Sequence, residues 1–342
     1  MAKYYPKTII RSTIGARRIR LMKAGASRLA KEQSAEDISS QQLALFNKRW
    51  SEAVRLPFYQ DWKRLHSLPE RISDISDLDN WPVLTKDSLR NRQDLVDLTP
   101  NVAGHYTTSG STGEPFRFPR GKIDFHSMYE AQWSYRALNG LQPFDSFVFA
   151  SNTLNGAGIS SVAHKKNSLV RIAKDYAGNS AKVNGFLASD YDADSAIGVI
   201  EKSRPRYLVG YPSAISAIAR RSSERGIRFP SLSHAILTSE SIDPSDISAI
   251  RELLDVHVLI EYGTAELGTI AGTVGSPEGW PVRTIWWNSL VRLDGEGSAI
   301  LTSLSPRTFP LINFSISDAL MVGRVGPVSY THLRAHETVL DL

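Results

Sequence analysis

The chain has 342 residues, 42% of them hydrophobic, a formal net charge of +5 and no cysteine. This length and apolar content predict a sizeable core in two or three subdomains, and the lack of cysteine excludes disulfides and thiolate zinc sites. The sequence holds no apolar run of the roughly 18 residues that a membrane-spanning helix needs.

Positive charge is concentrated at the start of the chain. Residues 1–31 carry nine Lys or Arg and no acidic residue, which leaves 31 basic and 35 acidic side chains in the other 311 residues. This basic arm has three interpretations: a solvated helix packed on the body, a segment that lies on an anionic membrane or an acidic partner, or a transit-type targeting segment. Nucleic acid is not an expected partner, because no aromatic-studded basic surface or known binding motif accompanies the arm.

A predicted helix at 33–55 is followed by a loop rich in small and hydroxylated residues, YTTSGSTGEP at 106–115. Its glycines let backbone N–H groups turn inward and its hydroxyls can donate to phosphate oxygens, which is typical of a phosphate-binding loop. Glu114 after Gly113 excludes a Walker loop, and the strand-like alternation from Phe116 onward excludes a dinucleotide loop. The loop is predicted to join two strands as a hairpin and to bind a nucleotide. A Ser/Gly surface turn is the alternative.

Alternating helix and strand patterns follow. Helices are predicted at 124–139, 192–203, 213–225 and 245–254, and strands at 147–150, 206–209, 234–237 and 256–260. An aspartate of the acidic run 190–194 is predicted to cap the helix at 192–203. The alternation predicts an α/β fold with a mainly parallel sheet. From about residue 267, shorter strands at 290–293 and 299–302 indicate a smaller β-rich subdomain.

Several motifs resemble, in the same order, those of the adenylate-forming superfamily, the acyl-CoA synthetases and their relatives. They are LPFY at 56–59, PVLTK at 82–86, TTSGSTGEP at 107–115, VGYPS at 209–213, ILTSE at 236–240, EYGTAE at 261–266 and PLINF at 310–314, leading to Asp318. Phe116 stands where many members carry lysine, which resembles the branch of phenylacetate-CoA ligase and the CapK-type polysaccharide biosynthesis proteins. The resemblance covers residues 50–320 and implies the superfamily's large N-terminal domain, with mainly parallel sheets flanked by helices and a smaller β-rich subdomain.

The resemblance also implies a nucleotide site. Its residues are Thr108, Ser109, Gly110, Ser111, Thr112 and Gly113 for the phosphates, Ser239, Glu240, Tyr262, Gly263 and Thr264 around the nucleotide, and Asp318 for the ribose hydroxyls. Glu266 is expected to bind Mg²⁺ and, with Thr112, to act in catalysis. The residue chemistry agrees, because Tyr262 offers a face for stacking a purine and Glu266 a hard oxygen for magnesium. Both follow the strand at 256–260, and ligands of parallel sheets lie beyond the carboxyl ends of strands.

The implied function is ATP-dependent activation of a carboxylic acid as acyl-AMP. The acyl group is then transferred to CoA, as in a phenylacetate-CoA ligase, or used in polysaccharide assembly, as expected of a CapK-type protein. Nucleotidyl transfer of AMP to a hydroxyl acceptor and a catalytically weak nucleotide-binding scaffold are the alternatives. Two departures favour weak activity: Ala265 stands where Thr or Ser is usual, and Ser317 where glycine is usual.

The predicted organisation has four parts. They are a basic arm at 1–31, an AMP-binding large domain at 32–326 (helical at 32–100, α/β at 101–266, β-rich at 267–326), a tail at 327–342 that is expected not to be native, and a mobile C-terminal domain that is expected to be missing. The missing domain would supply a catalytic lysine, so poor activity is expected. The expected location is cytoplasmic, with membrane contact through the arm, and a homodimer is left open.

Overall fold

The computed structural model describes residues 5–31, 33–108, 116–151, 179–274 and 282–319. For residues 5–14, 107, 108, 116 and 317–319 it describes the backbone alone. The helices are α1 (Tyr5–Ala30), α2 (Ala35–Ala53), α3 (Pro57–Leu65), α4 (Lys86–Arg90), α5 (Gln93–Val96), α6 (Lys122–Leu138), α7 (Asp190–Ser203), α8 (Pro212–Glu224) and α9 (Pro244–Leu254), with a 3₁₀-helix at Ile75–Asn80. Among these ranges, no helix combines the length and the apolar character needed to cross a bilayer.

Twelve strands lie in the same ranges. They are β1 (Gly104–Thr108), β2 (Phe116–Arg120), β3 (Phe147–Ser151), β4 (Ser180–Asn184), β5 (Tyr207–Gly210), β6 (His234–Leu237), β7 (His257–Thr264), β8 (Gly268–Thr273), β9 (Val282–Thr284), β10 (Ser289–Leu293), β11 (Ser298–Ser303) and β12 (Phe314–Ala319). The chain divides into two compact units and crosses between them three times: within α1 after Arg20, after Asn139, and within β7 after Glu261.

The first unit comprises Met1–Arg20 and Gly140–Glu261 and contains a parallel sheet in the order β4-β3-β5-β6-β7. Every residue of β5 and β6 is buried, as expected of parallel strands that are covered on both faces. Gly210 ends β5 with φ +153°, and a Cβ there would lie 1.9 Å from the carbonyl oxygen of Ala150. Only glycine fits at this position.

The second unit comprises Leu21–Asn139 and Tyr262–Leu342. It contains the β1-β2 hairpin and the antiparallel sheet β10-β11-β12. The last residues of β7 also belong to it and lead into β8 and β9, which pair antiparallel, so the seven-stranded main sheet is mixed. Its core is aromatic: the indole of Trp50 makes edge contacts with the rings of Tyr59, Trp62 and Trp81. A parallel bridge joins Leu84 to Phe314, the first residue of β12.

The predicted α/β fold class is confirmed, and so is the predicted hairpin, because β1 and β2 pair antiparallel on either side of the loop. Two local predictions were wrong. The strand predicted at 256–260 continues to Thr264, so that Tyr262–Thr264 lies within β7 rather than after it. The N-cap of α7 is Ser189 and not an aspartate, because the Ser189 hydroxyl accepts the N–H of Asp192 at 3.3 Å and leaves the acidic residues in the first helical turn.

The basic arm forms the long helix α1. Its second half packs in the second unit through Met22 and Leu29, which are buried, while Lys23 and Lys31 are exposed. This packing favours the interpretation of a basic helix whose apolar side chains contact the body of the protein.

Candidate nucleotide site

In the first unit, polar and aromatic side chains follow the carboxyl ends of the parallel strands. Ser239 and Glu240 come after β6, as predicted, and Ser239 has φ +70°, a strained conformation for a residue other than glycine. Glu240 Oε2 accepts a hydrogen bond from the hydroxyl of Ser213 at 2.7 Å. The rings of Phe186 and Tyr211, which follow β4 and β5, meet edge to face at 5.8 Å. The edge therefore offers a carboxylate, hydroxyls and an aromatic pair.

In the second unit, the predicted motif at 262–266 forms the end of β7 and a tight turn into β8. A Cβ at Gly263 would lie 2.5 Å from the carbonyl oxygen of Gly268, so a side chain at that position would push the two strands apart. The hydroxyl of Thr264 accepts the N–H of Leu267 at 3.1 Å. Tyr262 is half-buried against the aromatic core. Thr264 thus has a local structural role, and its hydroxyl hydrogen is left to donate.

Glu266 lies in this turn with only 4% of its side chain exposed. Lys86 Nζ lies 3.4 Å from Glu266 Oε1, a distance that makes an ion pair, yet Oε1 accepts no hydrogen bond from the described residues. Because Oε1 accepts no hydrogen bond from the described residues, the ion pair with Lys86 offsets only part of the cost of burying this charge. Oε1 is the candidate ligand atom for a metal cation.

Two arginines anchor the same turn. Arg120 donates to the carbonyl oxygen of Ala265, and its guanidinium lies 4.4 Å from the ring centre of Tyr106. Arg307 donates to the carbonyl oxygen of Leu267 and to Asn288 Oδ1, both at 2.8 Å. Backbone carbonyls on both sides of Glu266 are therefore held by guanidinium groups.

Burial perturbs both guanidinium groups. It lowers the pKa of Arg120, against the opposing effects of Tyr106, Asp124 and Glu266. It lowers the pKa of Arg307 to about 10, with Asp124 opposing the shift and Arg120 adding to it. Both remain charged at neutral pH. Their Nε atoms are buried and donate no hydrogen bond within the described part of the chain, so positive charge is available beside Glu266.

The surroundings of Glu266 fit Mg²⁺ shared with a bound phosphate. Mg²⁺ is typically bound through one or two carboxylates together with substrate phosphates and water. The described residues hold no cluster of three or more acidic, histidine or cysteine side chains that would enclose a metal. The single buried carboxylate of Glu266 fits the binding of Mg²⁺ through one carboxylate, with the remaining ligands to come from phosphate and water.

Several predicted site residues lie partly or wholly outside the described residues. Thr108 is placed by its backbone at the end of β1, and Asp318 by its backbone in β12. Residues 109–113 of the predicted phosphate loop, with Thr112 among them, lie in the segment that the structure does not describe. The sequence analysis did not predict the contacts that Lys86, Arg120 and Arg307 make with the turn that carries Glu266. It also did not predict the electrostatic effect of Asp124 on the two arginines. Only Lys86 belongs to a motif recognised in the sequence, PVLTK at 82–86.

No protein-family profile and no curated protein sequence matches this chain. Its fold matches solved structures of 2-hydroxyisobutyryl-CoA ligase. In the postadenylation state with R3-HIB-AMP, the TM-score is 0.69 at 16% identity, over 89% of this chain and 68% of that chain. In the open conformation with 2-HIB-AMP and CoA, the TM-score is 0.67 at 16% identity, over 88% of this chain and 69% of that chain. The likeness shows that this chain shares the α/β fold of that ligase.

Proposed function

We propose that this protein is an ATP-dependent adenylate-forming ligase that activates a carboxylic acid as acyl-AMP. The observation that carries the proposal is Glu266, a buried carboxylate with an oxygen that accepts no hydrogen bond from the described residues. Lys86 forms an ion pair with it, and Arg120 and Arg307 hold the neighbouring backbone carbonyls. The fold supports it, since the matched CoA ligase was solved with acyl-AMP ligands.

In the proposed reaction, a carboxylate oxygen of the acid attacks the α-phosphorus of ATP, and the bond from that phosphorus to pyrophosphate breaks. Catalysis of such a step consists mainly of positioning and charge neutralisation. Bound Mg²⁺ would neutralise charge on the phosphate oxygens, and Glu266 would hold it. The loop from Thr108 to Gly113 would bind the phosphates, Tyr262 would pack the adenine, and Asp318 would accept the ribose hydroxyls.

The remaining assignments are more specific. Ser239, Glu240, Gly263 and Thr264 would border the nucleotide, and the substrate would be an aryl or acyl acid. The acceptor would be CoA, as in a phenylacetate-CoA ligase, or a group used in polysaccharide assembly. The contiguous domain boundaries, the cytoplasmic location and the homodimer stay predictions.

Calorimetry with ATP, with and without Mg²⁺, tests the metal assignment. Glu266→Gln removes the negative charge at nearly constant shape and should abolish the Mg²⁺-dependent part of the ATP affinity. Glu296→Gln, an exposed change in the same unit, makes the same charge change and should leave that affinity unaltered. Equal ATP affinities of Glu266→Gln and wild type in both conditions would remove Glu266 as the metal ligand.

Pyrophosphate exchange across a panel of aryl and fatty acids tests the reaction. Exchange that requires a carboxylic acid is expected, and Glu266→Gln should slow it by about 10²-fold or more. ATP binding without exchange for any acid would favour the nucleotide-binding scaffold. Transfer of AMP to a hydroxyl acceptor would favour the nucleotidyl transferase.

A further inference from the structure

We infer that Lys86 is a cation that changes partners. It pairs with Glu266 when the site holds no nucleotide, and it moves to the polyphosphate when nucleotide and metal bind. The inference rests on the proposed function and adds to it the residue that supplies the movable positive charge. Its starting observation is the contact of 3.4 Å between Lys86 Nζ and Glu266 Oε1.

The backbone beneath Lys86 is fixed, whereas its side chain is not. Leu84 N–H donates to Asn313 O at 2.8 Å and Ser315 N–H donates to Leu84 O at 2.8 Å, which ties this segment to β12. Thr85 caps α4, because its hydroxyl accepts the N–H of Ser88 at 3.1 Å. The Lys86 side chain itself is 41% exposed. A flexible four-carbon stem on a fixed base can move its ammonium group between neighbouring anions.

The two arginines that hold the turn around Glu266 lack this freedom. Arg120 is held by Ala265 O and by the face of Tyr106, and Arg307 by Leu267 O and Asn288. Moving either guanidinium would break contacts within the turn that presents Glu266. Of these three cations, Lys86 is therefore the one that can leave the carboxylate at small structural cost.

The chemistry of the site calls for such a movement. The phosphate loop has no lysine, and Phe116 follows Pro115 at its end, so the loop cannot itself neutralise a polyphosphate with a side-chain charge. A divalent ion needs the same Glu266 oxygen beside which the ammonium lies, and two cations repel each other there. Entry of the metal would release Lys86, whose three N–H donors suit phosphate oxygens. Lys86 would then oppose metal binding to the free protein and favour nucleotide binding.

Two binding measurements with opposite expected signs test the inference. Calorimetry would follow Mn²⁺ binding to the nucleotide-free protein, and ATP binding at saturating Mg²⁺. Lys86→Met should tighten Mn²⁺ binding about threefold, because the competing ammonium is gone. The same variant should weaken ATP binding at saturating Mg²⁺ about tenfold, because a charge-assisted contact is lost. Lys86→Arg should retain most of the ATP affinity.

Lys122→Met is the matched control, because Lys122 is also the first residue of a helix in the second unit and is exposed. It should change neither affinity. If wild type binds ATP, either weaker Mn²⁺ binding or unchanged ATP binding of Lys86→Met would overturn the role of Lys86. The proposed function would not be affected by that result. A wild-type protein that binds no ATP would overturn the proposed function, and the inference with it. General misfolding would weaken both affinities, so it cannot produce the expected pair of opposite effects.

Discussion

Asn313 fixes the start of β12 through both its side chain and its backbone. It has φ +54° and is 1% exposed. Its amide donates to Leu78 O at 3.1 Å and Trp81 O at 3.0 Å, and Arg292 donates to its Oδ1. Its own carbonyl accepts the N–H of Leu84, two residues before the lysine that pairs with Glu266. A single asparagine thus links the aromatic core to the candidate site.

We predict that Asn313→Ala lowers the free energy of unfolding by about 2–4 kcal/mol, because the hydrogen bonds of the Asn313 side chain with Leu78 O, Trp81 O and Arg292 are all lost. Asn313→Gly should be less damaging by about 1 kcal/mol, since glycine adopts a positive φ without steric cost. Urea unfolding measures both changes. Asn101→Ala is the control, because Asn101 also has a positive φ (+60°) but is exposed. Equal losses in Asn313→Ala and Asn101→Ala would show that the hydrogen bonds contribute nothing.

The candidate site was predictable where its chemistry is local. The motif at 261–266 pointed to Glu266 and Thr264 through its resemblance to the superfamily motif and through residue types that suit Mg²⁺ and phosphate, and their binding roles stay predictions. The pairing of Glu266 with Lys86 was not predictable, because it joins two segments that are far apart in the sequence. The arginine contacts were missed for a related reason, since each guanidinium binds backbone carbonyls and leaves no pattern in the sequence.

At the scale of elements, helices α7 and α8 are joined by a cluster of charges. Arg221 binds Asp194 through two hydrogen bonds of 2.9 and 3.0 Å, and Arg225 adds a third at 2.9 Å. Arg221, and to a smaller extent Arg225, lower the pKa of Asp194 to about 2, against an opposing effect of desolvation. A carboxyl with a lowered pKa in the folded state stabilises the fold above its unfolded pKa, and this contribution is lost as pH falls through the folded value.

Asp194→Asn should therefore unfold at a lower urea concentration than wild type near pH 6. The difference should shrink as pH falls below 3.8, the ordinary Asp pKa, towards 2, where wild type also carries a neutral carboxyl. Circular dichroism of urea unfolding at several pH values measures it. Glu201→Gln removes an exposed carboxylate from the same helix and should give no comparable difference. A difference for Asp194→Asn that is constant with pH would contradict the ionic origin.

Most helices and strands could be predicted because they are long enough to show a regular spacing of apolar residues. The predicted helix at 124–139 is α6, and the apolar strands of the parallel sheet were found within a residue or two at their starts. The short helices α4 and α5 have five and four residues, too few for a period, and α4 depends on the Thr85 cap. The extension of β7 was missed because Tyr262–Thr264 lacks apolar alternation and is held instead by the close approach of Gly263 to Gly268.

At the scale of the whole molecule, alternating helices and strands were enough to predict the parallel sheet, because the three described crossovers, from β4 to β5, from β5 to β6 and from β6 to β7, each use a helix. The compact units could not be predicted in the same way. Each unit combines two segments that are far apart in sequence. Composition and periodicity are read along the chain, so they yield contiguous boundaries and cannot show which distant segments share a core.

The uneven charge of the molecule gives the last prediction. The net charge of +5 comes from residues 1–31. In this arm, the side chains of Arg20 and Lys23 in α1 and of Lys31 directly after α1 are exposed. We expect binding to vesicles that contain phosphatidylserine and none to phosphatidylcholine vesicles, with salt weakening the binding. Replacing these three residues by glutamine should weaken it by about 10²-fold, since each basic residue contributes about 1 kcal/mol.

A second triple variant, with glutamine at Lys48, Lys122 and Lys202, removes the same charge from exposed positions outside the arm. Vesicle sedimentation at matched ionic strength compares the two. Because a basic side chain contributes only within a Debye length of the lipid, the control should retain most of the binding if α1 faces the membrane. Equal losses in both triple variants would assign the attraction to net charge alone, and wild type that sediments with neither kind of vesicle would exclude membrane contact through the arm.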